Sequence, residues 1–314
     1  MTGLSPPGRI LQRDVIRLVL HLPFGHRDLA SPVSQALRLY LRSANLGTDF
    51  FSEYCLGDEP VALDAEDWAD IWDTLSPPPS EAFLDEGTDE AFLRQKMKEQ
   101  FDRTVELSVS SSGVTGYGFF YWARLPWRQP VKNQVSLVSF SWPIEYLDAH
   151  GPERMRAEIM QLAALLPYAS GHAGLAFSSP NVWGPPMKGL HEKALRHPGL
   201  DVTHGQRELG SRVDGVHWLN LLGTDVVTQI GGEEALRARL HSPSTSVHPL
   251  EKGRVLVMLG ERPEAGDLLQ GDTLPAYREL ARVLEPWLFP CPENETWRDT
   301  PPATACRWWR RFLD

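Results

Sequence analysis

Positive charge is missing from one long stretch of the sequence. Residues 43–93 contain no Lys, Arg or His, yet they include fourteen carboxylates. Because the whole chain of 314 residues has a formal charge of −10, the residues outside this acidic segment sum to +4. A concentrated negative field repels nucleic acid and attracts a basic partner. The acidic segment therefore argues against direct nucleic-acid binding and predicts contact with a protein that has a basic surface.

Cysteine is also scarce. The chain contains three cysteines, Cys55, Cys291 and Cys306, an odd number spread widely along the sequence. This pattern argues against a disulfide scaffold and predicts a reducing cytoplasm. A Cys291–Cys306 bridge is the alternative that stays open.

Long apolar runs are absent as well. Residues 107–123 are the most apolar candidate, but serines and glycines interrupt them. The uninterrupted part falls well short of the ~20 apolar residues that a membrane helix needs. Charged residues near the N-terminus likewise interrupt any signal-peptide core. We therefore expect a cytoplasmic protein that makes no membrane contact.

Common catalytic signatures are missing too. The sequence has no G-x-x-x-x-G-K-S/T loop, no G-x-G-x-x-G motif after a strand and no G-x-S-x-G elbow. Gly113, Gly116 and Gly118 lie between two strand-like segments, which is typical of a hairpin turn rather than of a phosphate-binding loop. The sequence thus predicts a protein that is not an enzyme and that holds no cofactor.

The histidines are the basis of the alternative prediction, which is that the protein is an enzyme. His191 and His197 are six residues apart, whereas a helical zinc motif needs a separation of four so that both imidazoles share one face. We therefore predict no metal site, although His204 and Asp201 could join some other arrangement. His172, among small residues at the start of a strand, is expected to be a hydrogen-bonded structural histidine. A hydrolase or metal-dependent enzyme that uses these histidines is the alternative function.

Hydrophobic periodicity predicts the fold. The predicted strands cover 14–22, 105–112, 118–123, 134–142, 172–177, 216–222 and 254–259, and the predicted helices cover 31–43, 64–75, 88–101, 152–166, 187–196 and 274–288. Strands mixed with unevenly spaced helices indicate an α+β fold, with a mixed, largely antiparallel sheet packed with amphipathic helices. We expect a flexible N-terminus over residues 1–13 and one large domain over residues 14–314.

A short helix in the acidic segment is the candidate binding site. Apolar residues recur at helical spacing on one face, namely Trp68, Ile71, Trp72 and Leu75. Asp64 is expected to cap the helix, and carboxylates project from its other side. The candidate residues are Asp64, Glu66, Asp67, Asp70 and Asp73. A solvated helix face is the ordinary explanation of such a pattern. The lack of any compensating base favours a docking surface for a basic protein.

The C-terminal residues 307–314 combine tryptophans with arginines. Burial of the aromatic side chains predicts a tail that folds back onto the core. Because Trp and Arg are also frequent interface residues, a partner-binding tail is the alternative.

Several short motifs resemble a known family. They are S-W-P at 141–143, E-Y-L at 145–147, H-G-P-E at 150–153, S-G-H-A-G-L-A-F at 170–177, H-P-G-L-D at 197–201, G-V-H-W-L-N at 215–220, P-E-A-G-D at 263–267 and A-Y-R at 276–278. Together they resemble a bacterial family once known as a domain of unknown function and now grouped with type VI secretion immunity proteins.

The resemblance implies a cytoplasmic protein that binds and neutralises a cognate toxin, which in some members is a nuclease of the restriction-endonuclease-like type. It implies no catalytic residues. The shared motifs also have a plain physical role as turns and packing positions. An adaptor or chaperone that loads an effector for secretion is a further alternative, since it would make similar contacts without blocking the toxin.

Overall fold

The computed structural model describes residues 3–5, 9–57, 59–78, 102–109, 115–128, 130–178, 186–203, 205, 207–291 and 301–314. The helix predicted over 88–101 lies outside these residues, as do the acidic residues at 58 and 81–90. The acidic helix and the C-terminal tail lie within them, as do the predicted strands except for residues 110–112.

One antiparallel sheet runs through the protein. Its strands are β1 (Gly3–Ser5), β2 (Arg9–Leu22), β3 (Glu53–Cys55), β4 (Val61–Ala62), β5 (Arg103–Ser108), β6 (Gly118–Ala123), β7 (Ser136–Pro143), β8 (Ser170–Ser178), β9 (Leu219–Leu222), β10 (Thr245–Pro249) and β11 (Val255–Leu259). Their order is β10-β11-β9-β8-β2-β7-β6-β5-β3-β4, with β1 paired to β2. All of these pairings are antiparallel.

Helices cover both faces of this sheet. They are α1 (His26–Ser43), α2 (Asp67–Thr74), α3 (Ile144–Leu165), α4 (Pro186–Arg196), α5 (Thr224–Ile230), α6 (Glu233–Arg237), α7 (Pro275–Leu284) and α8 (Pro302–Trp309). The first face carries α1, α2 and α3 over the largest core. On the second face, α5, α6 and α7 pack over β9 and β11, and α4 and α8 pack near the end of β8. The predicted α+β fold class is confirmed.

Alternation along β2 explains how one strand serves two faces. Ile16, Leu18 and Leu20 belong to the core of the first face. Because side chains alternate across a strand, Arg17 and His21 lie on the second face. Both are buried there. A charged and a titratable side chain are thus enclosed beneath the second layer of helices.

The largest differences between predicted and observed boundaries are at the starts of three elements. The strand predicted from residue 14 begins at Arg9, and β1 pairs with its first residues, so the expected boundary at residue 14 falls inside a strand. Helix α1 begins at His26 rather than at residue 31, because tertiary contacts of His26 support an extra turn before Pro32. Helix α3 begins at Ile144, and Gly151 with φ 80° divides it near the predicted start at residue 152.

For the cysteines, the structure shows the alternative that the sequence left open. Cys291 and Cys306 form a disulfide bond that spans 15 residues, with Cα atoms 5.3 Å apart. The reason is the path of the tail, which folds back so that Trp308 and Phe312 are 1% and 4% exposed. Folding of the tail onto the core, which the sequence predicted, is therefore confirmed and brings the two thiols together.

No helix in the described part of the chain is both long enough and apolar enough to cross a bilayer.

Candidate functional site

The acidic helix α2 is fixed at its start by two of its own carboxylates. The Asp64 carboxylate accepts hydrogen bonds from the backbone N–H groups of Glu66 and Asp67, at 2.8 and 3.2 Å. In return, Asp67 Oδ2 accepts from the backbone N–H of Asp64 at 2.8 Å. This reciprocal arrangement satisfies N–H groups that a helix start otherwise leaves unpaired. The predicted capping role of Asp64 is confirmed.

The opposite side of α2 is anchored to the protein body. Trp68 and Ile71 are buried, and the Trp68 indole N–H donates to the carbonyl of Thr48 at 2.7 Å. The hydroxyl of Ser34, on α1, donates to the carbonyl of Leu75 at 2.9 Å. These contacts hold both ends of the helix, so the carboxylate face has a defined orientation.

The carboxylates of this face divide into two groups. Asp67 also accepts a hydrogen bond from the Tyr54 hydroxyl at 3.1 Å, so Asp64 and Asp67 maintain the helix. Glu66, Asp70 and Asp73 are exposed. Within the described part of the chain, no Lys or Arg nitrogen lies within 4.0 Å of these three carboxylates. They are therefore available to an external partner.

The negative field of α2 acts on its surroundings. The pKa of Tyr54 is raised by partial desolvation, by its hydrogen bond to Asp67 and by the charges of Asp67, Asp70 and Asp64. Because a negative potential disfavours a phenolate, this direction matches an acidic patch without internal neutralisation.

A second polar group lies under the helices of the second face. His172 Nε2 is 3.3 Å from Asp201 Oδ2, and the His172 ring stacks on the His217 ring with centroids 3.8 Å apart. The other Asp201 oxygen accepts from the backbone N–H and the hydroxyl of Thr203, at 2.8 and 2.7 Å. The prediction that His172 is a hydrogen-bonded histidine is confirmed.

Burial controls the charges of this histidine cluster, which we define as His21, His172, Asp201, Asp214 and His217. Burial alone would raise the pKa of Asp201, but the hydrogen bond to His172 and neighbouring positive charges hold it well below its usual range. Burial raises the pKa of Asp214 to about 7. It also lowers the pKa of His217 well below the ordinary value.

The histidines considered in the sequence do not form one site. His197 Nδ1 contacts the carbonyl of Gly266 at 2.5 Å, away from the cluster. His191 is buried on α4, and His204 lies outside the described residues. Asp201 does join another arrangement, but its partners are His172 and His217. No spacing along the sequence could reveal that His172, Asp201 and His217 lie together. Each of the three nevertheless belongs to a different one of the short motifs.

The two sites favour different roles. All five members of the histidine cluster are at most 5% exposed, so a substrate has no access to them in this structure. Helix α2, in contrast, presents its carboxylates to solvent. The two sites therefore differ in their exposure to solvent.

The comparisons with known proteins define the class of protein. The chain belongs to the TsiV family, described as type VI immunity for VRR-NUC, whose sequence model matches residues 81–312. No curated protein matches the sequence. A solved structure, the Pseudomonas aeruginosa T6SS protein PA0821, is similar with a TM-score of 0.72 and 20% sequence identity. The alignment covers 99% of this chain and 87% of that chain, which supports the fold. The family match begins after α2.

Proposed function

We propose that this immunity protein neutralises a cognate VRR-NUC nuclease toxin by stoichiometric binding, with the exposed carboxylates of α2 contacting a basic surface of the toxin. The proposed function rests on membership in the type VI immunity family. The unpaired carboxylates of α2 support the proposal for the site.

Electrostatics gives this contact a physical reason. DNA carries one negative charge per ~1.7 Å of helix axis, so a nuclease cleft that holds DNA has to be basic. Glu66, Asp70 and Asp73 offer negative charge on a fixed helix without requiring any internal ion pair to break. Complementary charge of this kind speeds association and selects the partner more than it adds affinity.

The proposed place of action is the cytoplasm, because a nuclease toxin meets chromosomal DNA there. The Cys291–Cys306 pair would be reduced in that compartment. The burial of Trp308 and Phe312 would still hold the tail against the core, so toxin binding need not depend on the bond.

Co-expression tests the proposal. The chain would be produced together with the toxin encoded beside its gene, and growth, DNA integrity and co-purification would be measured. We expect restored growth, intact DNA and a stable complex of fixed stoichiometry. A catalytically inactive toxin variant provides the control for complex formation without damage.

Other outcomes separate the alternatives. A complex in which the toxin still cuts DNA would contradict neutralisation and favour an adaptor that loads the effector. Growth rescue without any complex would contradict binding and favour an enzyme. An enzyme would retain activity in the purified chain and lose it in a His172→Ala variant.

A further inference from the structure

We propose that His172, Asp201 and His217 form a buried structural site for one divalent transition-metal ion, of which Zn²⁺ fits best. One ligand atom from each of these side chains lies within 4.8 Å of the other two. The three residues come from β8, from the segment after α4 and from the segment before β9. This inference does not depend on toxin binding.

The hydrogen bond between His172 and Asp201 is long, and the same separation suits two ligands of one ion. Their facing atoms are 3.3 Å apart, whereas hydrogen bonds between nitrogen and oxygen are usually near ~2.9 Å. Two tetrahedral zinc ligands at ~2.1 Å from the metal are about 3.4 Å apart. Thr203 holds the other Asp201 oxygen through two hydrogen bonds, which leaves Oδ2 directed at His172. Such a supporting hydrogen bond is usual for carboxylate ligands.

Unsatisfied buried atoms point to a missing cation. His217 Nδ1 and both carboxylate oxygens of Asp214 have no hydrogen-bond partner within the described residues. His217 and Asp214 are 3% and 5% exposed. Such groups are costly to bury unless something binds them.

The nearby arginines do not replace this cation. Arg17 donates to the carbonyls of Thr203 and Phe177. Arg311 donates to the carbonyls of Pro198 and Trp308, and its guanidinium lies 3.8 Å from the centroid of the Trp308 ring. In the described part of the chain, the basic groups within 4.0 Å of Asp201 and Asp214 are the imidazoles of His172 and His21. Asp201 acts on the charges of both arginines and Asp214 on that of Arg311, but in the described part of the chain both guanidinium groups donate their hydrogen bonds to carbonyl oxygens and neither donates to the two carboxylates.

Metal binding requires one movement. The rings of His172 and His217 are nearly parallel, with 12° between their planes, so one ring must turn before both nitrogens can face the same ion. Two glycines border His217, and a side chain at either position would crowd it. A Cβ added at Gly215 would lie 3.2 Å from His217 Nε2, and one added at Gly174 would lie 3.4 Å from His217 Cβ. The absence of these side chains leaves the imidazole room.

The consequence of binding would be structural. The site would join β8 to two segments that follow it in the chain and would close the second layer over the sheet. His172, Asp201 and His217 are 2%, 2% and 3% exposed, so the ion would be enclosed by the protein and its role would be structural.

The test uses the full chain, purified without a metal-affinity tag. Metal content would be measured by mass spectrometry, and thermal stability would be measured with a strong chelator and after return of Zn²⁺. Co²⁺ would be added to the chelated protein to record its ligand-field absorption. We expect about one zinc per chain, a Tm that falls by several degrees on chelation and recovers with Zn²⁺, and a tetrahedral Co²⁺ spectrum.

Substitutions of the proposed ligands test whether these residues bind the ion. His217→Gln and Asp201→Asn should each weaken Zn²⁺ binding by at least about tenfold. His248→Gln is the matched control, because His248 is exposed on β10, and it should bind like the wild type. Circular dichroism of each chelated variant checks its fold. If a ligand variant does not fold, Gly215→Ala, which keeps every ligand but fills the space beside His217, should weaken binding instead.

Two results would overturn the proposal. Background metal content together with no effect of Zn²⁺ on Tm and no Co²⁺ spectrum would mean that buried water alone satisfies these atoms. Zinc binding that folded His217→Gln and Asp201→Asn variants retain in full would place the ion elsewhere.

Discussion

The guanidinium of Arg38 lies over the indole of Trp72, with its central carbon 3.8 Å from the ring centroid. Trp72 in turn stacks on Trp68 with centroids 5.8 Å apart. A base on α1 thus contacts an aromatic face of α2 rather than a carboxylate. This contact fastens the acidic helix to the body without placing Arg38 in an ion pair with the carboxylates of the helix, which suits a docking surface.

The first prediction concerns this contact. Arg38→Met should lower the free energy of unfolding by about 0.5–1 kcal/mol, because it removes a cation–π interaction at a partly exposed site. Urea unfolding of Arg38→Met, Trp72→Leu and the double variant would measure the coupling. A coupling energy of zero would mean that the two side chains are merely adjacent.

The second prediction concerns the proposed docking surface. Reversing Glu66, Asp70 and Asp73 to Lys should slow association with the toxin by about tenfold or more at low salt, because electrostatic steering is lost. Asp64 and Asp67 stay unchanged, since they hold the helix start. Stopped-flow or surface-plasmon association rates at two salt concentrations would measure the effect, which should shrink as salt screens the charges.

A matched variant controls for net charge. Reversal of the exposed carboxylates Glu251, Glu261 and Asp272 changes the charge by the same amount at the opposite end of the sheet. It should leave the association rate much closer to that of the wild type. Equal slowing by both triple variants would show that overall charge, and not α2, steers the toxin.

Local sequence signals predicted much of the first face. The periodicity that placed Trp68, Ile71 and Leu75 on one side of a helix is confirmed by their burial. The two strand-like segments on either side of the glycine-containing connection are confirmed as the antiparallel pair β5 and β6. Strands β3 and β4 escaped prediction, because three or two residues are too few to show alternation.

Long-range contacts explain the remaining differences. The histidine cluster unites residues from separate segments, such as His172 and Asp201, which are 29 positions apart. Only the pairing of β8 with its neighbours brings these segments together. The disulfide likewise depends on where the tail docks. Neither arrangement corresponds to a regular spacing in the sequence, so neither could be predicted without the tertiary structure.

The third prediction is a pH dependence of stability that arises at His26. Its Nε2 lies 2.9 Å from the carbonyl of Ser76, at the end of α2, and its Nδ1 lies 3.0 Å from the Tyr121 hydroxyl. Burial, with the nearby charge of Arg103, lowers the pKa of His26 from 6.5 to about 4. The unfolded chain therefore binds more protons than the folded chain between these two values.

Stability should then be full above pH 6.5 and should fall as the pH drops towards 4. The loss from this one group is up to about 3 kcal/mol. Urea unfolding at several pH values, compared with His26→Gln, isolates its contribution, because the variant keeps the other titrating groups. The variant should be less stable at pH 7 but should show a shallower decline. Parallel pH profiles would contradict the assignment to His26.

The last prediction concerns the bond between Cys291 and Cys306. Closing a loop of 15 residues restricts the unfolded chain and stabilises the fold by about 3 kcal/mol. A Cys291→Ser/Cys306→Ser variant should therefore unfold at lower urea concentration than the oxidised wild type, while the two should unfold alike in dithiothreitol. Alkylation of the denatured, oxidised protein should modify Cys55 alone, because that thiol is free. Modification of three thiols in protein kept under oxidising conditions would show that the bond does not form, and the variant would then match the wild type with or without reductant.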